Sequence, residues 1–206
     1  VWHCQKALCP SCAPYAAGKR RDALRAAVPA VLAIGGEHAH AVLTMRHRMG
    51  VKWHELRDAI RDSFRLVRQC RTWGKNVAGF VRADETTEGR NGHHFHSHLL
   101  LTFKPGADVP AFREWLKIRW ELYARKAGRT AELVGETWDE AGKLTSRGWF
   151  STVDGRNAET LSRYLTQTLV HEIGAGDAKT KHAPWDLSPA SFVEVWHASK
   201  GHRWFG

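Results

Sequence analysis

Histidine alternates with other side chains from His94 to His98, and this pattern constrains the fold more than any other feature of the sequence. Successive side chains of a β-strand point to opposite faces of the sheet. A strand here would place His94, His96 and His98 on one face and Phe95 with alternate leucines on the other. We therefore predict a strand over residues 94–103, with one face packed in a core and the other lined by imidazoles.

A metal ion is the simplest reason to line one strand face with three imidazoles. Charged rings would repel one another, and neutral rings would bury polar atoms to no purpose. Glu85 lies on the preceding predicted strand, where alternation places it on one face with Val77, Gly79 and Val81. A carboxylate beside histidines makes a mixed nitrogen and oxygen site with open positions, which suits Mg²⁺ or Mn²⁺ acting on phosphate oxygens.

The remainder of the chain predicts a mixture of helices and strands. The predicted helices span residues 22–32, 51–73, 108–126, 158–173 and 189–199, and the predicted strands span residues 40–46, 77–86, 94–103 and 149–153. Asp22 and Asp108 are the expected N-caps of two of these helices, whereas residues 129–147 match neither pattern. This order predicts an α+β fold in which helices cover a central antiparallel sheet.

The first 20 residues are expected to be an irregular, cysteine-containing segment before a domain over residues 21–206. Cys4, Cys9 and Cys12 have the close spacing of a zinc knuckle, with a fourth ligand from His3, His38 or Cys70. The alternative is that these thiols are reduced and bind no metal. Four cysteines in this arrangement are a poor disulfide framework, which favours a reducing, cytoplasmic location.

The charge of the chain favours a polyanionic partner. Lysine and arginine number 31 against 21 acidic residues, which gives a formal net charge of +10. Nucleic acid is the first candidate for such a partner. No apolar run approaches the roughly 18 residues needed to cross a bilayer, so we expect no membrane partner.

The segment over residues 81–101 resembles the central motif of the rolling-circle replication initiators of bacterial plasmids, which belong to the His-hydrophobic-His (HUH) endonuclease superfamily. The resemblance implies that His96 and His98 form the metal-binding pair and that Glu85 is the upstream carboxylate ligand. Ser97 stands where the family has a hydrophobic residue, so His94 and His96, which flank Phe95, are the alternative pair. Strand geometry lets all three histidines contribute.

Three outer segments look like further motifs of this family. The cysteine-rich opening with its basic run at residues 19–21 resembles the family's N-terminus. Residues 43–47 resemble its first strand motif, a DNA-contacting segment, and residues 196–204 resemble its closing motif. The implied fold is the ferredoxin- or RRM-like sheet of HUH endonucleases.

Tyr164 is the predicted nucleophile among three tyrosines. Tyr15 and Tyr123 sit in contexts that favour packing, whereas Tyr164 lies at the edge of the apolar stripe of the predicted helix 158–173. Residues 161–167 also resemble the family's catalytic Lys-Tyr helix motif, with Arg163 in the lysine position. Thr160 stands where some members carry a glutamate that serves a hydrolytic final step.

The resemblance implies that the protein nicks an origin strand with Mn²⁺ or Mg²⁺, forming a 5′-phosphotyrosine and a 3′-hydroxyl primer. Its implied partners are single-stranded or cruciform origin DNA and the host helicase and polymerase. Rival interpretations are an HUH relaxase or transposase, and a non-catalytic nucleic-acid-binding module on a ferredoxin-like fold. Unpaired bases are expected to stack on His47, Trp53 and Trp149. The residues predicted to contact DNA are Arg46, His47, Arg48, Arg82, Arg90, Arg163 and Lys179.

Overall fold

The computed structural model describes residues 12–89, 92–138, 144–153 and 189–198. The helices in these ranges are α1 (Cys12–Ala33), α2 (Trp53–Arg68), α3 (Arg71–Asn76), α4 (Val109–Lys126) and α5 (Pro189–Ala198). The strands are β1 (Glu37–Thr44), β2 (Val77–Gly89), β3 (Gly92–Phe103), β4 (Glu136–Trp138), β5 (Leu144–Arg147) and β6 (Phe150–Val153).

Four of the strands form one antiparallel sheet in the order β2-β3-β1-β6. The chain passes from β1 through α2 and α3 to the β2–β3 hairpin, and then through α4 to β6. This order is the β-α-β-β-α-β arrangement of ferredoxin-like folds. The predicted α+β fold with a central antiparallel sheet is therefore confirmed, and β4 and β5 form a separate two-stranded sheet.

The larger core lies between one face of the main sheet and helices α2 and α4. Strand β3 contributes Phe95, Leu99, Leu101 and Phe103, all at most 2% exposed. Helix α2 presents a buried apolar stripe at spacings of three and four residues: Trp53, Leu56, Ile60, Phe64 and Val67. Because burying one such side chain contributes about 1.5–3 kcal/mol, this layer fixes which face of β3 turns inward.

The opposite face of the sheet carries helix α1 and the histidines. Leu24 and Val28 of α1 pack with Ala83, Leu100 and Val153 in a smaller core cluster. Toward the Gly92 end of β3, the same face carries the even-numbered histidines. The predicted division of β3 into an apolar face and a histidine face is therefore confirmed.

Helix α1 begins ten residues earlier than the sequence predicts. It starts at Cys12, so Asp22 lies inside the helix and is not its N-cap. Alanines favour a helix, and Pro14 is tolerated because it lies in the first turn. The expected boundary at residue 20 thus falls within α1, and the irregular segment predicted up to that point is wrong for residues 12–20.

The predicted long helix over residues 51–73 is two helices. Gln69 ends α2, and Cys70, with an extended backbone, precedes α3. The prediction failed because the apolar spacing runs through the break, from Val67 to Trp73. Strand β1 begins at Glu37, three residues before its predicted start.

The expected position of Val77 is also wrong. A bulge between Val77 and Gly79 reverses the alternation, so Val77 packs in the larger core, on the face opposite Glu85.

The predicted cap of α4 is confirmed, because the Asp108 carboxylate accepts a hydrogen bond of 2.9 Å from the Ala111 amide. The predicted helix 158–173 lies outside the described residues. None of the helices among the described residues combines the length and apolar character needed to span a membrane.

Candidate metal centre

The β2–β3 hairpin brings Glu85 onto the same face of the sheet as His94, His96 and His98. Gly89 pairs with Gly92 at its closed end, and the register places Glu85 directly across from His96. Gly92 has a φ of +88°, a conformation that glycine adopts at little cost. Two strands and one turn therefore determine the position of the carboxylate relative to the imidazoles.

Two imidazoles contact the same oxygen of the Glu85 carboxylate. Oε2 of Glu85 lies 2.7 Å from Nε2 of His96 and 2.7 Å from Nε2 of His98. The Glu85 and His98 residues are 6% and 2% exposed, and His96 is half-buried. Short hydrogen bonds to an ionised carboxylate are roughly twice as strong as neutral ones, so the three side chains are held as a unit.

The electrostatics of the site keep Glu85 ionised. Burial alone would raise the pKa of its carboxyl group. The His96 imidazole and the hydrogen bonds from His96 and His98 outweigh burial and hold the pKa of Glu85 below its ordinary value. A carboxylate that remains charged in a buried place is suited to a cation.

The chemistry of these donors fits a divalent cation. Glu85, His96 and His98 each offer a ligand atom, and these atoms lie within 4.8 Å of one another. Two imidazoles and one carboxylate leave coordination positions open for other ligands. Nδ1 of His96 is buried and has no hydrogen-bond partner among the described residues.

His40 of β1 lies behind His98. Nε2 of His40 is 3.2 Å from Nδ1 of His98, and the two rings stack with an interplanar angle of 2°. Burial, followed by the His98 and His96 rings, lowers the pKa of His40 to about 3. The neutral His40 ring can donate to or accept from the outer nitrogen of a ligand histidine, which orients that ligand.

His94 belongs to a second group of side chains. His47, His94 and Glu132 offer ligand atoms that also lie within 4.8 Å of one another, and all three residues are half-buried. Burial, followed by His96 and His47, lowers the pKa of His94 to about 4, with Glu85 opposing the shift. The structure thus groups His96 and His98 with Glu85 and places His94 beside His47.

The described residues predicted to contact DNA occupy different places. Arg46 and Arg48 are exposed and flank half-buried His47, just beyond β1. Arg82 lies on the opposite sheet face from Glu85, 3.3 Å from the buried Asp84 carboxylate. Arg46 and Arg48 are therefore positioned near the histidines, whereas Arg82 is turned toward the α2 side of the sheet.

Two expected stacking platforms are core residues. Trp53 and Trp149 are 0% and 6% exposed, and both pack in the larger core. Trp53 makes an edge contact with Phe95. The prediction that these indoles stack on unpaired bases is wrong, because folding buries them. His47 stacks on His94.

Several predicted site residues lie outside the described residues. Cys12 is described, and it is buried in the first turn of α1. The others are Tyr164, Arg90, Arg163, Lys179, Cys4 and Cys9.

Sequence reasoning missed His40, Thr44 and Glu132. The two β1 residues lie on the same face of the sheet as the histidines of β3, and only the β1–β3 register places them there. Glu132 lies in a stretch without recognisable periodicity, and the sequence offers no signal for it. The position of His40 at the start of the predicted strand 40–46 was the available signal for His40.

Comparison with known proteins identifies a family. A family model described as "Replication protein" matches residues 1–114 of the 206-residue chain. The matched region contains β1, β2 and β3, and hence the metal group formed by Glu85, His96 and His98. None of the curated proteins and none of the solved structures gives a match. The family match covers more than half of the chain and includes Glu85, His96 and His98. The match supports a plasmid replication initiator, with which the HUH superfamily is consistent. The chain therefore belongs to the replication protein family.

Proposed function

We propose that this replication initiator is a metal-dependent endonuclease and strand transferase that nicks one strand of a plasmid origin. The observation that carries the proposal is the pair of 2.7 Å contacts from His96 and His98 to one Glu85 oxygen. A buried carboxylate flanked by two imidazoles is a costly arrangement for structure alone, and it suits a site that binds a cation near phosphate.

Glu85, His96 and His98 would hold the cation. When bound, a divalent cation supplies Lewis-acid polarisation of the nonbridging oxygens of a scissile phosphate. His40 orients His98 from behind through the 3.2 Å contact between their ring nitrogens. The α2–α4 core on the other face of β3 keeps the strand rigid, so the ligands stay at fixed spacing.

Tyr164 is the proposed nucleophile. Its hydroxyl oxygen attacks the phosphorus as its proton leaves, and a new ester bond forms between the tyrosine and the phosphate. The bond from phosphorus to the 3′ oxygen breaks, and that oxygen takes up a proton. The products are a 5′-phosphotyrosine and a 3′-hydroxyl that primes synthesis. Attack by a 3′-hydroxyl on the adduct reverses the step and rejoins ends.

Basic side chains near the histidines would hold the DNA backbone. Arg46 and Arg48 are exposed on the segment that follows β1, next to His47. Phosphate contacts of this kind position a strand without reading its sequence. Arg90, Arg163 and Lys179 are proposed to extend this contact. The substrate is single-stranded or cruciform origin DNA, with a host helicase and polymerase acting after the nick.

The experiment that tests this function detects the covalent adduct. Single-stranded oligonucleotides that tile the origin of the plasmid are labelled at the 3′ end, so that the label stays with the fragment joined to tyrosine, and are incubated with the full chain and Mn²⁺. A labelled band that migrates with the protein on a denaturing gel is expected for the wild type and absent for Tyr164→Phe. Tyr123→Phe is the matched control, because the Tyr123 hydroxyl lies 3.4 Å from Cys70 Sγ on the α2–α4 side.

Two results would count against the proposal. An adduct of wild-type yield in Tyr164→Phe would remove Tyr164 as the nucleophile. Tight binding of origin strands with no cleavage at any Mn²⁺ concentration would favour the non-catalytic binding module.

A further inference from the structure

We propose that His47, His94 and Glu132 bind a second divalent cation, next to the cation held by Glu85, His96 and His98. The chemical class is a borderline ion such as Mn²⁺, Fe²⁺ or Zn²⁺, which accepts imidazole and carboxylate ligands together. This site goes beyond the proposed nicking function and does not depend on it.

The three ligands converge from separate parts of the chain. His47 follows β1, His94 lies on β3, and Glu132 follows α4. Their ligand atoms lie within 4.8 Å of one another. Ligands about 2.1 Å from one ion are roughly 3–4 Å apart, so small side-chain rotations complete the site.

Backbone pairing places Glu132. The Glu132 amide donates to the Thr44 carbonyl over 3.1 Å, and the Arg46 amide donates to the Thr130 carbonyl over 2.8 Å. A bridge between Met45 and Ala131 lies between these bonds. The segment that carries Glu132 therefore extends the sheet beside the end of β1, and its carboxylate is held on a strand-like backbone.

The two imidazoles are held against each other. The His47 and His94 rings stack with centroids 4.6 Å apart and an interplanar angle of 17°. Thr44 Oγ1 lies 3.1 Å from Nε2 of His94, and its hydroxyl donates to the Phe95 carbonyl, which fixes the orientation of His94.

One ring nitrogen of this group needs a partner. Nδ1 of His47 is buried and has no hydrogen-bond partner among the described residues. An unsatisfied buried polar atom is destabilising, and coordination or a ligand-bound water would remove that cost. Together with the Glu132 carboxylate, this orphan nitrogen points to a cation.

The second group has the same donors as the first. Each contains two imidazoles and one carboxylate. Donor type largely selects the class of metal, so a cation that binds the Glu85 group is expected to bind the Glu132 group. All three members of the second group are half-buried, whereas Glu85 and His98 are buried. The second site is therefore expected to be weaker and to exchange faster with solvent.

The test counts bound Mn²⁺ on the full chain. Free Mn²⁺ gives a six-line electron paramagnetic resonance signal, and its loss on titration measures the number bound. Mn²⁺ is chosen because thiolates prefer softer metals, which keeps the N-terminal cysteines out of the count. We expect two ions per wild-type chain, one in Glu132→Gln and one in Glu85→Gln. Glu114→Gln, on an exposed position of α4, is the matched control and is expected to bind two.

The outcome is decided by the Glu132 variant. A full wild-type count in Glu132→Gln, or a single ion in the wild type, would overturn the second site. Far-UV circular dichroism checks that the variant is folded, and His47→Asn replaces it if it is not. A failure to nick DNA leaves these counts unchanged, so failure of the proposed function and failure of the second site are distinguishable.

Discussion

Glu85 and His96 face each other across β2 and β3, with Oε2 of Glu85 2.7 Å from Nε2 of His96. Glu85→Gln keeps the shape of the side chain but removes its charge. The group of Glu85, His96 and His98 then keeps its two imidazoles and loses its carboxylate. We expect Mn²⁺ affinity at this site to fall by more than roughly 100-fold, because even outer partners of ligands cost about 10- to 100-fold. Isothermal titration calorimetry measures the change.

The Glu85 variant is also expected to lose the covalent DNA adduct. Glu114→Gln serves as the control, since it removes one negative charge from an exposed position on α4. An unchanged dissociation constant for the tighter Mn²⁺ site in Glu85→Gln would show that the carboxylate is not a ligand.

His40 is expected to strengthen metal binding from outside the ligand set. Its Nε2 lies 3.2 Å from Nδ1 of His98, and a phenylalanine cannot make this hydrogen bond. We expect His40→Phe to weaken Mn²⁺ binding roughly 10-fold, at the lower end of the range for outer partners of metal ligands. His38→Phe is the matched control because His38 lies on the same strand and face and bonds to Thr102. Equal losses in both variants would indicate a general structural effect.

Local periodicity in the sequence was enough to predict a histidine face on β3 with a carboxylate on the neighbouring strand, whereas the choice of His96 and His98 over His94 was implied by the family resemblance. The histidine alternation over residues 94–98 set the face of β3, and the short turn after Glu85 made a hairpin the simplest connection. Both inferences depend on neighbours in sequence, which pattern rules treat well. The fold class followed from the order of the elements for the same reason.

Contacts between distant segments account for what the sequence did not predict. Glu132 reaches the histidines through backbone bonds between residues 130–132 and the end of β1, and no periodicity marks that pairing. The bulge at Val77 and the break at Cys70 each change the direction of the backbone over one residue. The spacing of apolar residues in the sequence reveals neither of them. Trp53 and Trp149 were misassigned because an indole fits a core as well as a base stack.

The inward face of β3 is expected to dominate the stability of the fold. Leu101 is 0% exposed and packs in the larger core. We expect Leu101→Ala to lower the free energy of unfolding by about 2–5 kcal/mol, as for other buried leucines. Ile118→Ala on α4 is the control, because Ile118 is 61% exposed and its truncation is expected to cost less than about 0.5 kcal/mol. Urea denaturation gives both values, and a loss below about 1 kcal/mol for Leu101→Ala would contradict the assigned core.

The metal-free protein is expected to lose stability as the pH falls below neutrality. Burial lowers the pKa of His40 from 6.5 to about 3 and that of His94 from 6.5 to about 4. Between these values the unfolded state binds more protons than the folded state, so the free energy of unfolding decreases as the pH falls. From about pH 7.5 to about pH 5.5, His40 alone is expected to account for a loss of about 1 kcal/mol. Below about pH 4.5, Glu85 adds to the loss, because its folded pKa is also lowered.

Urea denaturation in EDTA at several pH values measures how steeply the free energy of unfolding depends on pH. His40→Gln should flatten this dependence, and a slope as steep as that of the wild type would show that His40 is not held neutral by the fold.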